Sequence, residues 1–168
     1  ISDVPVVLFG YANPFYKYGF ARLCEDAAQA GVDGFLVVDM PHEEADEFKQ
    51  AAKTCKLAWI VLVAPTTTPA RAVKLLKDAE GFIYYITVTG VTGARATVPR
   101  DIAAHIAELK RFTSRPIAAG FGISNGEQAC EVAKSADAVV VGSALIKAVN
   151  ANRLEVFTKE IRRALDFA

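Results

Sequence analysis

The sequence lacks any apolar run long enough to cross a membrane as a helix. Its longest runs, at 57–65 and 136–142, have the length of strands and fall short of the roughly 20 residues that a helical span needs. Charge of one sign is also missing, because 19 lysines and arginines balance 19 aspartates and glutamates and the basic residues are dispersed. Nucleic-acid binding needs clustered basic residues. We therefore expect a cytoplasmic protein that binds neither nucleic acid nor a membrane.

Cysteine is scarce. The three cysteines, Cys24, Cys55 and Cys130, are odd in number, far apart and never arranged as CxxC. This pattern is typical of small core residues in a reducing compartment and gives no sign of a disulfide or a metal site.

What the chain does contain is an alternation of apolar runs and helical patterns. Six short apolar, β-branched runs predict strands at 4–9, 34–38, 58–63, 82–88, 116–119 and 138–141. Apolar spacing near three and four predicts helices at 20–29, 43–53, 69–78, 100–112, 125–135 and 154–167. Strict alternation indicates an α/β fold with a parallel sheet, and almost wholly apolar strands indicate burial on both faces.

The position of the glycines favours a barrel over an open doubly wound sheet. The dinucleotide fingerprint GxGxxG after a first strand is absent, whereas glycine-rich stretches follow the last strands. We predict a single TIM-type (β/α)8 barrel domain over residues 1–168 with six of the eight βα units, since a complete barrel has about 250 residues. The chain opens without Met and enters a strand near Val4, which is typical of a piece of a longer protein. A barrel short of two units would have open edges prone to self-association.

Three small-residue motifs each follow a predicted strand and predict a phosphate site. They are Gly90 to Gly93, Gly120 to Gly122 and Gly142 to Ala144. Glycine lets backbone N–H groups approach a phosphate oxygen, and Ser143 adds a hydroxyl donor at the start of a predicted turn at 144–147. The long loop at 87–99 fits either a mobile lid over a substrate or a disordered connection.

Six motifs together carry a family resemblance. They are VLFGYANP at 7–14, AGVDG at 30–34, DMP at 39–41 followed by Glu43 and Glu44, GVTG at 90–93, GFGIS at 120–124 and GSA at 142–144. In order and spacing along nearly the whole chain they resemble the tryptophan synthase α subunit. That family is a (β/α)8 barrel lyase of tryptophan biosynthesis. It cleaves indole-3-glycerol phosphate by a retro-aldol reaction to indole and glyceraldehyde 3-phosphate.

The resemblance also implies roles for particular residues. Tyr84 would lie near the substrate glycerol, and Thr92 would be the lid residue that supports a catalytic aspartate. The phosphate would contact Gly93, Phe121, Gly122, Gly142 and Ser143, and the indole would contact Phe9, Tyr11 and Leu36. The family has no cofactor of its own and docks, on the side that residues 11–18 would face, on a β subunit that carries pyridoxal phosphate.

The sequence departs from the family in its acid–base residues. The family's catalytic glutamate and aspartate lie in two preceding βα units and have no counterpart here, although the reaction needs two positioned proton-transfer groups. Asp39 is the remaining carboxylate at the end of a predicted strand, and a role in bracing the turn into Pro41 is favoured. The alternatives are another phosphate-binding barrel enzyme, such as a sugar-phosphate isomerase or epimerase, and a non-catalytic barrel fragment or docking module.

Overall fold

The structure is a computed structural model that describes residues 3–86, 101–120 and 122–166. Strands and helices alternate through these residues. The strands are β1 (Val7–Gly10), β2 (Gly34–Val37), β3 (Ala58–Val63), β4 (Ile83–Ile86), β5 (Ile117–Gly120) and β6 (Ala138–Val140). The helices are α1 (Ala12–Tyr18), α2 (Phe20–Gln29), α3 (Asp46–Thr54), α4 (Pro69–Lys77), α5 (Ile102–Leu109), α6 (Gly126–Ala133), α7 (Ser143–Asn150) and α8 (Leu154–Asp166), with a 3-10 helix at His42–Glu44.

The chain forms two compact units. The first comprises Ile1–Leu62 and Val73–Ile83, and in it β1, β2 and β3 pair in chain order as parallel neighbours. The second comprises Val63–Ala72 and Tyr84–Ala168, and in it β4, β5 and β6 follow in chain order with β5 parallel to β6. Parallel neighbours joined through helices are the βα arrangement that the sequence predicts. The assignment of residues 1–168 to one domain stays a prediction.

Burial follows the predicted pattern best in β2 and β5, where every residue is buried. Two of their neighbouring strands are more open: Phe9 in β1 is 53% exposed, and Ala138 in β6 is also exposed. Helix α2 shows why its segment is helical, because Phe20, Leu23 and Ala27 recur at a spacing of three and four and all are buried.

An aromatic cluster forms the core of the first unit. Phe48 of α3 has no exposed surface, and its ring stacks on Phe20 with centroids 4.5 Å apart. It also contacts Phe35 at 4.9 Å and Trp59 at 5.3 Å. One helix residue therefore joins α2, β2 and β3.

Three acidic residues bind the amino ends of the strands. Asp33 precedes β2 and accepts a hydrogen bond from the N–H of Val6 at 2.7 Å. Glu80 precedes β4 and accepts from the N–H of Trp59 at 3.1 Å, and Asp137 precedes β6 and accepts from the N–H of Ile117 at 2.8 Å. In each case the backbone N–H of the acidic residue also donates to the backbone carbonyl of the residue whose N–H its carboxylate accepts. We call Asp33, Glu80 and Asp137 the amino-end acids.

Replacing Asp137 by asparagine is expected to reduce the loss of stability in acid. Partial burial opposes the charge of Asp137, but the Ile117 N–H and the Lys110 ammonium outweigh it and hold the pKa of the carboxyl below its ordinary 3.8. A carboxyl with a lowered folded-state pKa contributes stability above its unfolded pKa and loses that contribution as the pH falls through its folded pKa. Urea unfolding of both proteins between about pH 6 and pH 3 measures the difference.

The matched control is Glu47→Gln, which removes the same charge from an exposed position of α3. Equal acid sensitivity in the parent chain and in the Asp137 variant would contradict the prediction.

Several element boundaries differ from the prediction. Helix α1 was not predicted; its Pro14 lies in the first turn, where proline removes no intrahelical hydrogen bond. The predicted helix at 43–53 is instead a 3-10 turn followed by α3. The predicted turn at 144–147 is the eight-residue helix α7.

All three cysteines are free thiols; Cys24 is buried, whereas Cys55 and Cys130 are half-buried. Cys24 has no exposed surface, and burial raises its pKa to about 11, so it is a neutral core residue. None of the described helices is long and apolar enough to cross a membrane.

Candidate functional site

The residues predicted to surround an indole lie at the carboxyl end of β1 and on β2. Phe9 and Leu36 are register partners on these parallel strands, so their side chains project from the same face of the sheet, about 4.8 Å apart along the hydrogen-bonding direction. Leu36 is 2% exposed, whereas Phe9 is 53% exposed. Tyr11 follows β1 directly, caps α1 and is 60% exposed. The structure therefore brings together two of the three residues and places the third one residue beyond the strand.

The residues predicted to hold the phosphate follow β5 and β6. Gly120 and Val140, which end these strands, are register partners. Gly122 and Gly142 each lie two residues further along, and both are exposed. A Cβ built on Gly142 meets no atom within 4 Å, so the space beside this backbone is open.

Helix α7 strengthens the anion-binding character of this edge. Gly142 is its N-cap and Ser143 is its first residue, with the Ser143 side chain at the exposed start of the helix. The first N–H groups of an α-helix lack acceptors within the helix and favour anions there. The helix replaces the short turn that the sequence predicts and gives Ser143 a second, backbone donor.

Tyr84 lies against the end of β5. It is 7% exposed, and its ring and hydroxyl occupy the space that a side chain at Gly120 would fill. Burial raises the pKa of the Tyr84 hydroxyl, which keeps it a neutral phenol able to donate a hydrogen bond. The absence of a side chain at Gly120 thus allows Tyr84 to lie over the strand end that leads to Gly122.

Three predicted site residues, Thr92, Gly93 and Phe121, lie outside the described residues, as does the predicted lid loop at 87–99. Asp39 is exposed after β2, and its Oδ1 accepts a hydrogen bond from the N–H of Ala12 at 2.7 Å. This contact ties the residue after β2 to the start of α1, so bracing of the turn into Pro41 stays a prediction. Within the three described segments, no group of three or more His, Cys, Asp or Glu side chains is placed to hold a metal ion.

Comparison with known proteins decides the family. The sequence profile of the tryptophan synthase alpha chain matches residues 1–166. The chain belongs to the tryptophan synthase alpha chain family. The resemblance read from the six motifs is confirmed.

Individual members of the tryptophan synthase alpha chain family agree with this assignment. The alpha chain of Citrifermentans bemidjiense is 53% identical over 146 residues, which cover 87% of this chain and 55% of that protein. A solved tryptophan synthase from Mycobacterium tuberculosis is 32% identical with a TM-score of 0.89, over 96% of this chain and 62% of that chain. The alpha subunit of Legionella pneumophila is 33% identical with a TM-score of 0.86, over 100% of this chain and 65% of that chain.

These similarities confirm the α/β fold of the TIM-barrel type with part of its units present. The chain spans 55% of the length of the Citrifermentans alpha chain.

Sequence reasoning missed which residue caps helix α6, just after the predicted phosphate loop at Gly120 to Gly122. Ser124 and Glu127 have the spacing of a capping box, but the residue that caps α6 is Asn125, whose Oδ1 accepts from the N–H of Gln128 at 2.9 Å. The Gln128 side chain reaches back to Ser124. The signal was present one residue further along, because Asn is as good an N-cap as Ser and Gln serves at the third position.

Proposed function

We propose that this chain carries the substrate-binding part of a lyase of tryptophan biosynthesis that cleaves indole-3-glycerol phosphate to indole and glyceraldehyde 3-phosphate. The observation that supports this most is the family match over residues 1–166 combined with exposed glycines two residues beyond each of the paired ends of β5 and β6. The match supports the substrate class, and the exposed glycines support a phosphate site beyond these strand ends.

Each proposed contact uses an ordinary property of its residue. Gly122 and Gly142, with Gly93, bring backbone N–H groups close to the phosphate, and Ser143 adds its hydroxyl. Phe121 lies beside the phosphate in this proposal. The Tyr84 phenol donates to the glycerol portion, and the apolar surfaces of Phe9, Tyr11 and Leu36 surround the indole.

In this proposal the chain binds substrate but leaves the proton transfers to groups that it does not supply. Cleavage protonates C3 of the indole and removes a proton from a glycerol hydroxyl, so two acid–base groups are needed. Asp39 is not one of them in this proposal, because its carboxylate already accepts a hydrogen bond from the N–H of Ala12 at 2.7 Å. Thr92 supports the lid next to the aspartate that performs one of the transfers.

The partner in this proposal is a β subunit that carries pyridoxal phosphate, and the alpha-type chain itself uses no cofactor. The docking surface is the segment from Tyr11 to Tyr18. It exposes three tyrosines, Tyr11 at 60%, Tyr16 at 69% and Tyr18 at 49%. Tyrosine is enriched at protein interfaces because its large ring also carries a polar end. Self-association and a cytoplasmic location stay predictions.

The test is a calorimetric titration of the chain with indole propanol phosphate and with a plain sugar phosphate. We expect indole propanol phosphate to bind at least about tenfold more tightly, because its indole buries apolar surface that the sugar lacks. Gly142→Ala is expected to weaken binding of either phosphate about tenfold, since its methyl group enters the space through which the oxygen approaches.

The control for the Gly142 variant is its thermal unfolding, which is expected to show at most a small loss: a Cβ at this position meets no atom within 4 Å, and alanine is a poorer N-cap of α7 than glycine. Equal affinity for the two phosphates would instead favour another phosphate-binding barrel enzyme. Absence of binding to both would leave a docking module.

A further inference from the structure

Tyrosine and tryptophan aside, Gln128 is the one polar or charged side chain that is buried among the described residues 3–86, 101–120 and 122–166, with 8% of its surface exposed. It lies on α6 beside two fully buried positions, Ala129 and Val132. An amide placed in such surroundings costs free energy unless hydrogen bonds replace those it made with water. An apolar residue would fill the position without that cost, so the amide has a use other than packing.

The Gln128 side chain reaches the loop that precedes its helix. Its Oε1 accepts from the backbone N–H of Ser124 at 2.8 Å and from the Ser124 hydroxyl at 3.0 Å. Two donors from the same residue converge on one oxygen. Ser124 is therefore fixed in both its backbone and its side chain.

These bonds serve the loop more than the helix. The N-terminus of α6 already has its cap, because Asn125 Oδ1 accepts the N–H of Gln128 at 2.9 Å. Ser124 lies before this cap and outside the helix. In a standard capping box the third-position side chain would bond the N–H of the cap residue, here Asn125, instead.

The loop that Gln128 holds leads directly to Gly122. Ile123 is 2% exposed and Ser124 is bound by the amide, so the two residues after Gly122 are both anchored. Gly122 itself is exposed. Gly122 is therefore exposed and lies immediately before two residues, Ile123 and Ser124, that are held in place.

We propose that Gln128 is a positioning residue for the phosphate site: by holding Ser124 it fixes the backbone at Gly122 in the orientation that binds a phosphate oxygen. The inference rests on the proposed function, which places the phosphate against Gly122. Gln128 does not touch the ligand, and its effect passes through Ser124.

The test uses Gln128→Met, which keeps the length and burial of the side chain and removes its acceptor. The probes are glycerol 3-phosphate and indole, titrated separately into the 168-residue chain. We expect about tenfold weaker binding of glycerol 3-phosphate, because both hydrogen bonds that anchor Ser124 are lost, and unchanged binding of indole. Hydrogen exchange at the Ser124 amide is expected to become faster, because its acceptor is gone.

The matched control is Val132→Ala, which removes buried packing from the same helix without removing an acceptor. It is expected to lower the melting temperature and leave the affinity for glycerol 3-phosphate within about twofold of the parent. Equal weakening in both variants would overturn the inference, since helix stability alone would then explain it.

Two further outcomes separate the inference from the function on which it rests. If the parent binds glycerol 3-phosphate and Gln128→Met binds it equally well, the inference alone is wrong. If the parent binds no glycerol 3-phosphate, the proposed phosphate site is wrong and the inference falls with it.

Discussion

Replacing Gly120 by alanine is expected to lower the free energy of unfolding by about 3 kcal/mol, the upper end of the cost of adding a methyl group to a packed core. A Cβ at this position would lie 2.6 Å from Cε2 of Tyr84 and closer still to its Cζ and hydroxyl oxygen. The Tyr84 ring is 7% exposed, so it has little room to move aside. Because Tyr84 is the proposed contact to the substrate glycerol, weaker binding of indole propanol phosphate is expected as well.

A double-mutant cycle with Tyr84→Leu checks the cause. Leucine removes the outer ring atoms and the hydroxyl, so the Gly120→Ala methyl then has space. We expect the double variant to be at least about 1 kcal/mol more stable than the sum of the single effects predicts. Chemical denaturation measures all four proteins, and Gly142→Ala is the glycine control, with an expected loss of at most about 1 kcal/mol. Strictly additive effects would contradict the steric explanation.

Replacing Phe48 by alanine is expected to cost about 4 kcal/mol, the usual range for deleting a fully buried aromatic ring. The ring has no exposed surface and packs against Phe20, Phe35 and Trp59 within 5.3 Å. No neighbouring backbone can close the resulting cavity without moving a strand. This loss is large relative to the total stability of a domain of this size.

Trp59 provides the readout for this cluster, because it is the one tryptophan in the sequence. We expect its emission in Phe48→Ala to shift to longer wavelength already without denaturant, together with a lower urea midpoint. The control is Phe112→Ala, which deletes an equal ring that is 41% exposed and is expected to cost at most about 1 kcal/mol. Similar losses in the two variants would contradict the assignment of the core.

The alternation of strands and helices was predictable because each element carries its own periodicity. Helix α2 occupies the predicted residues 20–29, and β3 the predicted residues 58–63. Both have apolar residues at the spacing of their structure and clear ends, such as Gly19 before α2. Local sequence alone decides such elements.

The elements that were missed depend on context. Helix α1 contains Asn13 and Pro14 and buries none of its residues, so no apolar stripe marks it. Helix α7 buries Ala148 alone among its eight residues. A helix without a buried face has no periodic apolar spacing, so the sequence pattern does not predict it.

The candidate site likewise contains residues that the sequence predicts and residues that only the fold brings together. Gly122, Gly142 and Ser143 were predictable because glycine-rich stretches after strands are visible in one dimension. The contact between Gly120 and Tyr84 was not, since residues 36 positions apart meet only through the pairing of strands. The role of Gln128 was hidden because a glutamine on a helix is ordinarily exposed.

The amino-end acids have a consequence for engineering. Within the second unit, Asp137 fixes the start of β5, at the opposite end of β5 and β6 from Gly122 and Gly142. Strand register is therefore held at a distance from the residues that would be altered to accept a new ligand. We therefore expect the second unit to tolerate exchange of the loops after β5 and β6 for others of the same length while Asp137 is kept, which makes this edge a suitable place for loop grafting.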